Sequence, residues 1–213
     1  MRHVIVIIFF TGLFASHVAS ARTWYVRPDS TGDAPTIQAG IDSAAAADTV
    51  LLRDGTYSGD GNRDLDYGGK AITVVSEGGD PELCVVECGG SETELHRGFY
   101  FHSGETSDAV LEGMTIQGGY VMNQEGSGNF RILGGGLFCS DGSSPTITRC
   151  HFVSNSAWEG GGLACNWSSP TISECEFVGN TATVHEGGGL ICADHSSPTI
   201  SGCAFSENCA EVG

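Results

Sequence analysis

From Gly134 to Gly213 the chain repeats itself three times: GGGLFCSDGSSPTITRCHFVSNSAWE, GGGLACNWSSPTISECEFVGNTATVHE and GGGLICADHSSPTISGCAFSENCAEVG. The glycine triplets open at Gly134, Gly160 and Gly187, so the period is 26 and then 27 residues. Self-similarity at this period predicts a solenoid, in which each repeat buries its apolar side chains only by stacking on the next. The local pattern predicts the kind. Leu137 and Cys139 alternate with Phe138, Pro145-Thr-Ile147 follows a Ser-Ser turn, and Cys150-His-Phe152 alternates again before Asn155. Each copy is broken by Gly, Pro and Asn, and none has ten residues at helical spacing. Three short strands per coil, stacked in parallel, are expected.

Coils about 4.8 Å apart would place like residues directly above one another. The inward columns are then Leu137/Leu163/Leu190, Ile147/Ile172/Ile200 and Phe152/Phe177/Phe205. Asn155/Asn180/Asn208 would form a ladder of side-chain amides at a turn. The pairing of GGGL with F-x-x-N (Phe152–Asn155, Phe177–Asn180, Phe205–Asn208) resembles the repeat of polymorphic outer-membrane proteins. It is also similar to the wider group of secreted right-handed parallel β-helix proteins. Handedness is what this resemblance implies; the period does not set it. The fold hosts pectinolytic enzymes, adhesins and passenger domains alike, so it does not name a function.

Met1-Arg-His, the apolar run Val4 to Ala15 and Ala19-Ser20-Ala21 read as a secretory signal peptide, residues 1–21, cut after Ala21. The run is too short for a membrane span, and the expected location is secreted or cell-surface, including an outer membrane. Residues 22–133 read as an N-terminal cap and irregular first coils, and 134–213 as regular repeats. Gly213 would be the first glycine of a fourth copy, which suggests a truncated frame. Near the start, Pro35 to Ala46 carries Ile37, Ile41 and Ala44/Ala45 at helical spacing between strands at Trp24–Val26 and Thr49–Leu52. That order resembles the N-terminal cap of pectate-lyase-like β-helices, in which a short helix covers the first coil. Further strands are expected at Lys70–Val74, Cys84–Cys88, Phe99–Phe101 and Met114–Ile116, with an inserted loop at Val121–Leu133. The expected fold is all-β: a right-handed parallel β-helix with a short N-terminal capping α-helix.

Glycine numbers 32, as fits a chain with several tight turns in every coil. Net charge is −17, and −18 once Arg2 leaves with the leader. Such a surface repels nucleic acid and anionic lipid. Asp60, Asp64 and Asp66 are the weak calcium candidates, although the spacing lacks the Gly and Glu of a calcium-binding helix–loop–helix and reads better as an acidic turn. No other cofactor is expected.

Six of the nine cysteines fall in two columns, Cys139/Cys165/Cys192 and Cys150/Cys175/Cys203. Stacked free thiols, cross-coil disulfides and, least of all, metal binding stay open; Cys209 occupies an outward position. No residue earns a catalytic role. Arg149 is the only basic Lys or Arg in the repeats, and Asp141 and Asp194 are lone loop residues. Trp158 and Trp167 are the candidate glycan contacts, since an indole beside variable turn residues suits a sugar ring. The expected function is a non-enzymatic interaction or adhesion scaffold, with a polysaccharide or surface protein as partner. The alternative is a carbohydrate-active lyase or hydrolase of the pectate-lyase-like superfamily.

Overall fold

The computed structural model describes residues 20–122 and 133–211. The leader up to residue 19, most of the expected inserted loop and the start of a fourth copy lie outside these residues. The rest winds into a parallel β-solenoid of about six turns with one short helix, a right-handed β-helix. In a regular coil the chain makes four short strands rather than the expected three. The first coil of the repeat region runs Leu137–Cys139, Thr146–Thr148, His151–Val153 and Ser156–Ala157. Each bend is set by a left-handed residue. The residue after the Thr-Ile-Thr run, Arg149, has φ 50°, and its counterparts Glu174 and Gly202 have 54° and 63°. Ser154, Gly179 and Glu207 turn the chain again at 51°, 61° and 57°. The fourth strand is only two residues long, too short for alternation to reveal it.

Stacked coils form four sheets, all parallel. The first has seven strands and runs from Thr23–Val26 to Thr199–Ser201. The second, of six, runs from Gly55–Ser58 to Ala204–Ser206. The third has four strands, beginning at Tyr120–Val121 and ending at Cys209–Ala210. The fourth is built from Phe99–Phe101, Leu137–Cys139, Leu163–Asn166 and Leu190–Ala193. Register is in phase: Leu137 pairs with Leu163 and Leu163 with Leu190, and Ile147, Ile172 and Ile200 align likewise. Phe152, Phe177 and Phe205 stack face to face, with centroids 4.9 and 4.7 Å apart and planes within 8°.

The columns continue into the irregular coils under other names. Ile147 stands on Leu111, Val74 and Val50. Phe152 stands on Ile116, Val86 and Tyr57. Tyr120–Val121 pairs with Ser156–Ala157, and Leu133 bridges Glu159, so both ends of the expected loop belong to the solenoid. Phe138, read as facing away from Leu137, is also buried; it lies with Leu133 and Ala164 in a second apolar cluster outside the fourth sheet.

The helix is Ile37–Ser43, shorter than the expected Pro35 to Ala46. Thr36 caps it by accepting the Ala39 N–H, and Ala44 leaves helical geometry. Ile37, Gly40 and Ile41 are buried against the first coils, and a side chain at Gly40 would press on Val50 and Val26. Asp48 closes this end by accepting N–H groups from Ala45, Arg22 and the Trp24 indole, and these bonds hold its carboxyl below the usual range.

The asparagine ladder sits inside the wall. Asn155 Nδ2 donates to Asn180 Oδ1 at 3.1 Å, and Asn180 Nδ2 to Asn208 Oδ1 at 2.9 Å. Their amides also take the Ile116 and Phe152 carbonyls. All nine cysteines are free thiols. Cys150, Cys175 and Cys203 donate Sγ–H to the carbonyls two residues back, at 3.2 to 3.4 Å.

Candidate binding face

Outside the fourth sheet, the strand period of two decides which side chains point away from the core, although Phe138, Ala164, Ser140 and Arg97 on that side are themselves buried. Phe99 and Phe101 are fully buried, so Tyr100 and then His102 point outward. One coil earlier, Leu65 pairs with Phe99, which turns Asp64 and Asp66 to the same outer side. Asp64 accepts the Arg97 N–H at 2.9 Å and holds His96 Nδ1 at 2.6 Å. Asp66 holds His102 Nε2 at 3.2 Å and accepts the Gly68 N–H. Tyr100 stacks on His102 at 4.0 Å and lies nearly parallel to Phe138, 5.3 Å away. The Arg97 guanidinium stands over both rings, 5.0 and 5.4 Å from their centroids.

Further along the axis the strip becomes neutral and acidic. Ser140 donates to Asp141 at 2.9 Å. Asn166 Nδ2 donates to Asp194 Oδ2 at 2.9 Å, on coils one apart. Beside them Trp167 is 58% exposed, its ring 4.5 Å from that of His195. Trp167, Asp194 and His195 all lie at positive φ, in the turn that leaves the fourth sheet. A left-handed turn residue throws its side chain off the sheet surface, which is how an indole comes to stand free here.

The expected site residues divide accordingly. Asp64, Asp66 and Trp167 lie on the strip. Asp60 does not: it pairs with Arg63 at 3.0 Å. The three carboxylates therefore have three separate partners, and among the described residues no three His, Cys, Asp or Glu side chains come together to hold a metal ion. Trp158 lies at the other end of the Leu163–Asn166 strand, half-buried, with His185 5.9 Å away. Arg149 pairs with Glu112, away from the strip. Sequence reasoning missed His96, Arg97, Tyr100 and His102. The alternation of Phe99-Tyr-Phe101 announced an outward Tyr100, but no repeat links residue 65 to residue 99, so the acid–histidine pairs had no signal.

Chemically, the strip offers two carboxylate-oriented imidazoles and an exposed indole next to an amide–carboxylate pair, while the buried Arg97 and Phe138 support Tyr100 from behind. An imidazole held this way has a fixed tautomer and can pass a proton through its second nitrogen. Aromatic faces beside planar polar groups bind the apolar faces and hydroxyls of sugar rings. Among the described residues no helix is long and apolar enough to cross a membrane. No curated protein and no solved structure matches the chain significantly. Residues 84–209, more than half its length and spanning this whole face except Asp64 and Asp66, match the family described as right-handed β-helix region. On that match, and on the coiled parallel sheets that carry the strip, the chain belongs to the right-handed β-helix family.

Proposed function

We propose that this is an exported interaction scaffold, displayed or secreted, that binds glycan chains on the outer side of its fourth sheet, at the exposed turn that carries Trp167. The observation that carries the reading is Trp167, 58% exposed, beside the Asn166–Asp194 pair and the His195 ring. An exposed indole offers a sugar ring a stacking face, and the adjoining amide and carboxylate offer its hydroxyls hydrogen-bonding partners. The leader-like residues 1–21 support export, and the repeat resemblance supports surface display. Glycan-array binding by the intact chain tests it. Trp167→Ala is expected to weaken binding at least tenfold, and Trp158→Ala to leave it unchanged. Binding that survives Trp167→Ala would remove the strip from the account.

A second reading is favoured by one observation, the Asp64–His96 and Asp66–His102 pairs flanking Tyr100. Under it the same face cleaves a polysaccharide, with an oriented imidazole as the proton-transferring group. Release of reducing ends or unsaturated products from a polysaccharide panel, abolished by His102→Ala or His96→Ala, would select this reading. Binding without turnover selects the scaffold.

A further inference from the structure

At the opposite corner of the first coils two arginines stand one above the other. Val26 pairs with Leu52 in register, so the residues that follow, Arg27 and Arg53, occupy the same corner of successive coils. The Arg53 N–H donates to the Val26 carbonyl at 3.0 Å. Beneath them the buried Tyr57 hydroxyl lies 2.9 Å from the Val26 carbonyl and 2.8 Å from that of Arg53. Gly55 has no room for a side chain, because the Pro28 ring occupies the space beside it. The backbone of the corner is therefore fixed, and both arginine side chains reach from it into solvent.

What is unusual is the state of the two guanidiniums. Every other described cation is engaged. Arg22 lies over Trp24, Arg63 holds Asp60, Lys70 donates to the Ile41 and Asp42 carbonyls, Arg97 covers Tyr100, and Arg149 pairs with Glu112. Among the described residues, neither Arg27 nor Arg53 forms an ion pair or a side-chain hydrogen bond, although Arg27 attracts the nearby Asp29 carboxylate and the chain carries a net charge of −17. Two like charges one coil apart repel. Both line a concavity of about 400 Å³ together with Pro28, Asp29, Asp54 and Gly55. Both also line the smaller neighbouring cleft with Tyr25 and Glu77.

We propose that Arg27 and Arg53 form a binding site for a tetrahedral oxyanion ester that also carries an ammonium group, such as a phosphoethanolamine unit. A tetrahedral phosphate presents oxygens in several directions, so it accepts from two guanidinium forks at once, which one planar carboxylate does less well. The same walls carry Asp29, Asp54 and Glu77, which disfavour a plain anion and attract a cationic tail. Tyr25, 47% exposed, adds an aromatic face for that tail. The unit can come from a free ester or from a lipid headgroup. This site is independent of the glycan strip.

Calorimetric titration of the intact chain with O-phosphoethanolamine tests the proposal, with inorganic phosphate and ethanolamine titrated separately. Saturable binding at least tenfold tighter than to either fragment is expected. Arg27→Gln and Arg53→Gln should each abolish it, whereas Arg149→Gln, which removes the same charge elsewhere, should not. Co-sedimentation with phosphatidylethanolamine vesicles, lost in the same two variants, would identify the headgroup source; binding of the free ester alone would identify a soluble one. No saturable heat, or equal binding by the Arg27→Gln chain, overturns the site. Equal affinity for inorganic phosphate overturns the ammonium half of it.

Discussion

Asn180 shows how one side chain can hold three coils. It is fully buried, donates to the Phe152 carbonyl and to Asn208, and accepts from both nitrogens of Asn155. Asn180→Ala strands several buried polar groups at once, each costing about 1–3 kcal/mol, so a loss of about 2–4 kcal/mol is expected. Ser156, half-buried at the start of its strand, should cost under about 1 kcal/mol on the same change. Equal melting temperatures for the two variants would take the ladder out of the stability account. Glu105 plays the corresponding part with a charge. Burial pushes its carboxyl up, but the Ser143 hydroxyl and the Gly69 and Ser103 N–H groups more than offset this and leave it below the ordinary value. A carboxyl lowered in the folded state stabilises fully above its unfolded value, about 4.3, and loses that contribution as pH falls through the folded value. Melting followed from pH 7 to pH 2 should therefore show a steeper acid decline for the native chain than for Glu105→Gln. Parallel curves would mean that Glu105 contributes no such linkage.

Within one coil, the glycine triplet does the work of a corner. Gly160 opens it at φ 63°, and Gly162 lies where any Cβ would collide with the Gly189 carbonyl oxygen of the next coil and meet the Phe177 ring at 3.0 Å and the Asn180 amide carbon at 3.2 Å. Gly162→Ala should thus disturb two interior columns through one methyl group. The Phe column gives the cleaner test of packing. Phe177 is fully buried between the rings of Phe152 and Phe205, whereas the next residue, Val178, points away from the core and is half-buried. Phe177→Ala should cost about 3–5 kcal/mol in chemical denaturation, and Val178→Ala less than half of that. Similar costs would mean that the stack does not behave as a shared core. The sequence revealed this level of organisation only where coils share residue identity. Leu137, Ile147, Phe152 and Asn155 recur, so their columns could be written down beforehand. Leu111, Val74 and Val50 continue the Ile column, yet three different apolar residues at unequal intervals carry no visible period. The two-residue strands were hidden for another reason: alternation needs more than Ser156 and Ala157 to be seen.

Over the whole molecule, the site was less legible than the fold, because a solenoid brings together residues whose separation depends on loop length. Asp66 meets His102, and Asn166 meets Asp194, across one coil each, but the intervals are unequal. The same geometry governs the cysteines. In-register parallel strands keep equivalent Cα atoms about 4.8 Å apart with side chains parallel, so Cβ atoms stay near that distance, beyond the roughly 3.5–4.5 Å of a disulfide. Cys139, Cys165 and Cys192 are in register in this way, and all are free. Burial raises the Cys84 thiol to about 12, and Cys165 is raised by its neighbour Cys139 and by burial. Cys192 is exposed, yet its contact with Cys165 raises it too. Cys209 is exposed on the third sheet and stands in the outward column of Ser156 and Thr181. A thiolate, not a thiol, attacks a disulfide reagent, so thiols raised in this way react slowly. At pH 8 the folded chain should show one fast-reacting thiol, absent from Cys209→Ser, and all nine should react in denaturant without prior reduction. The melting temperature should be the same with and without reductant. Fewer than nine thiols in denaturant, or a melting point that drops on reduction, would mean that neighbouring coils are covalently joined and that the columns are not held by packing and hydrogen bonds alone.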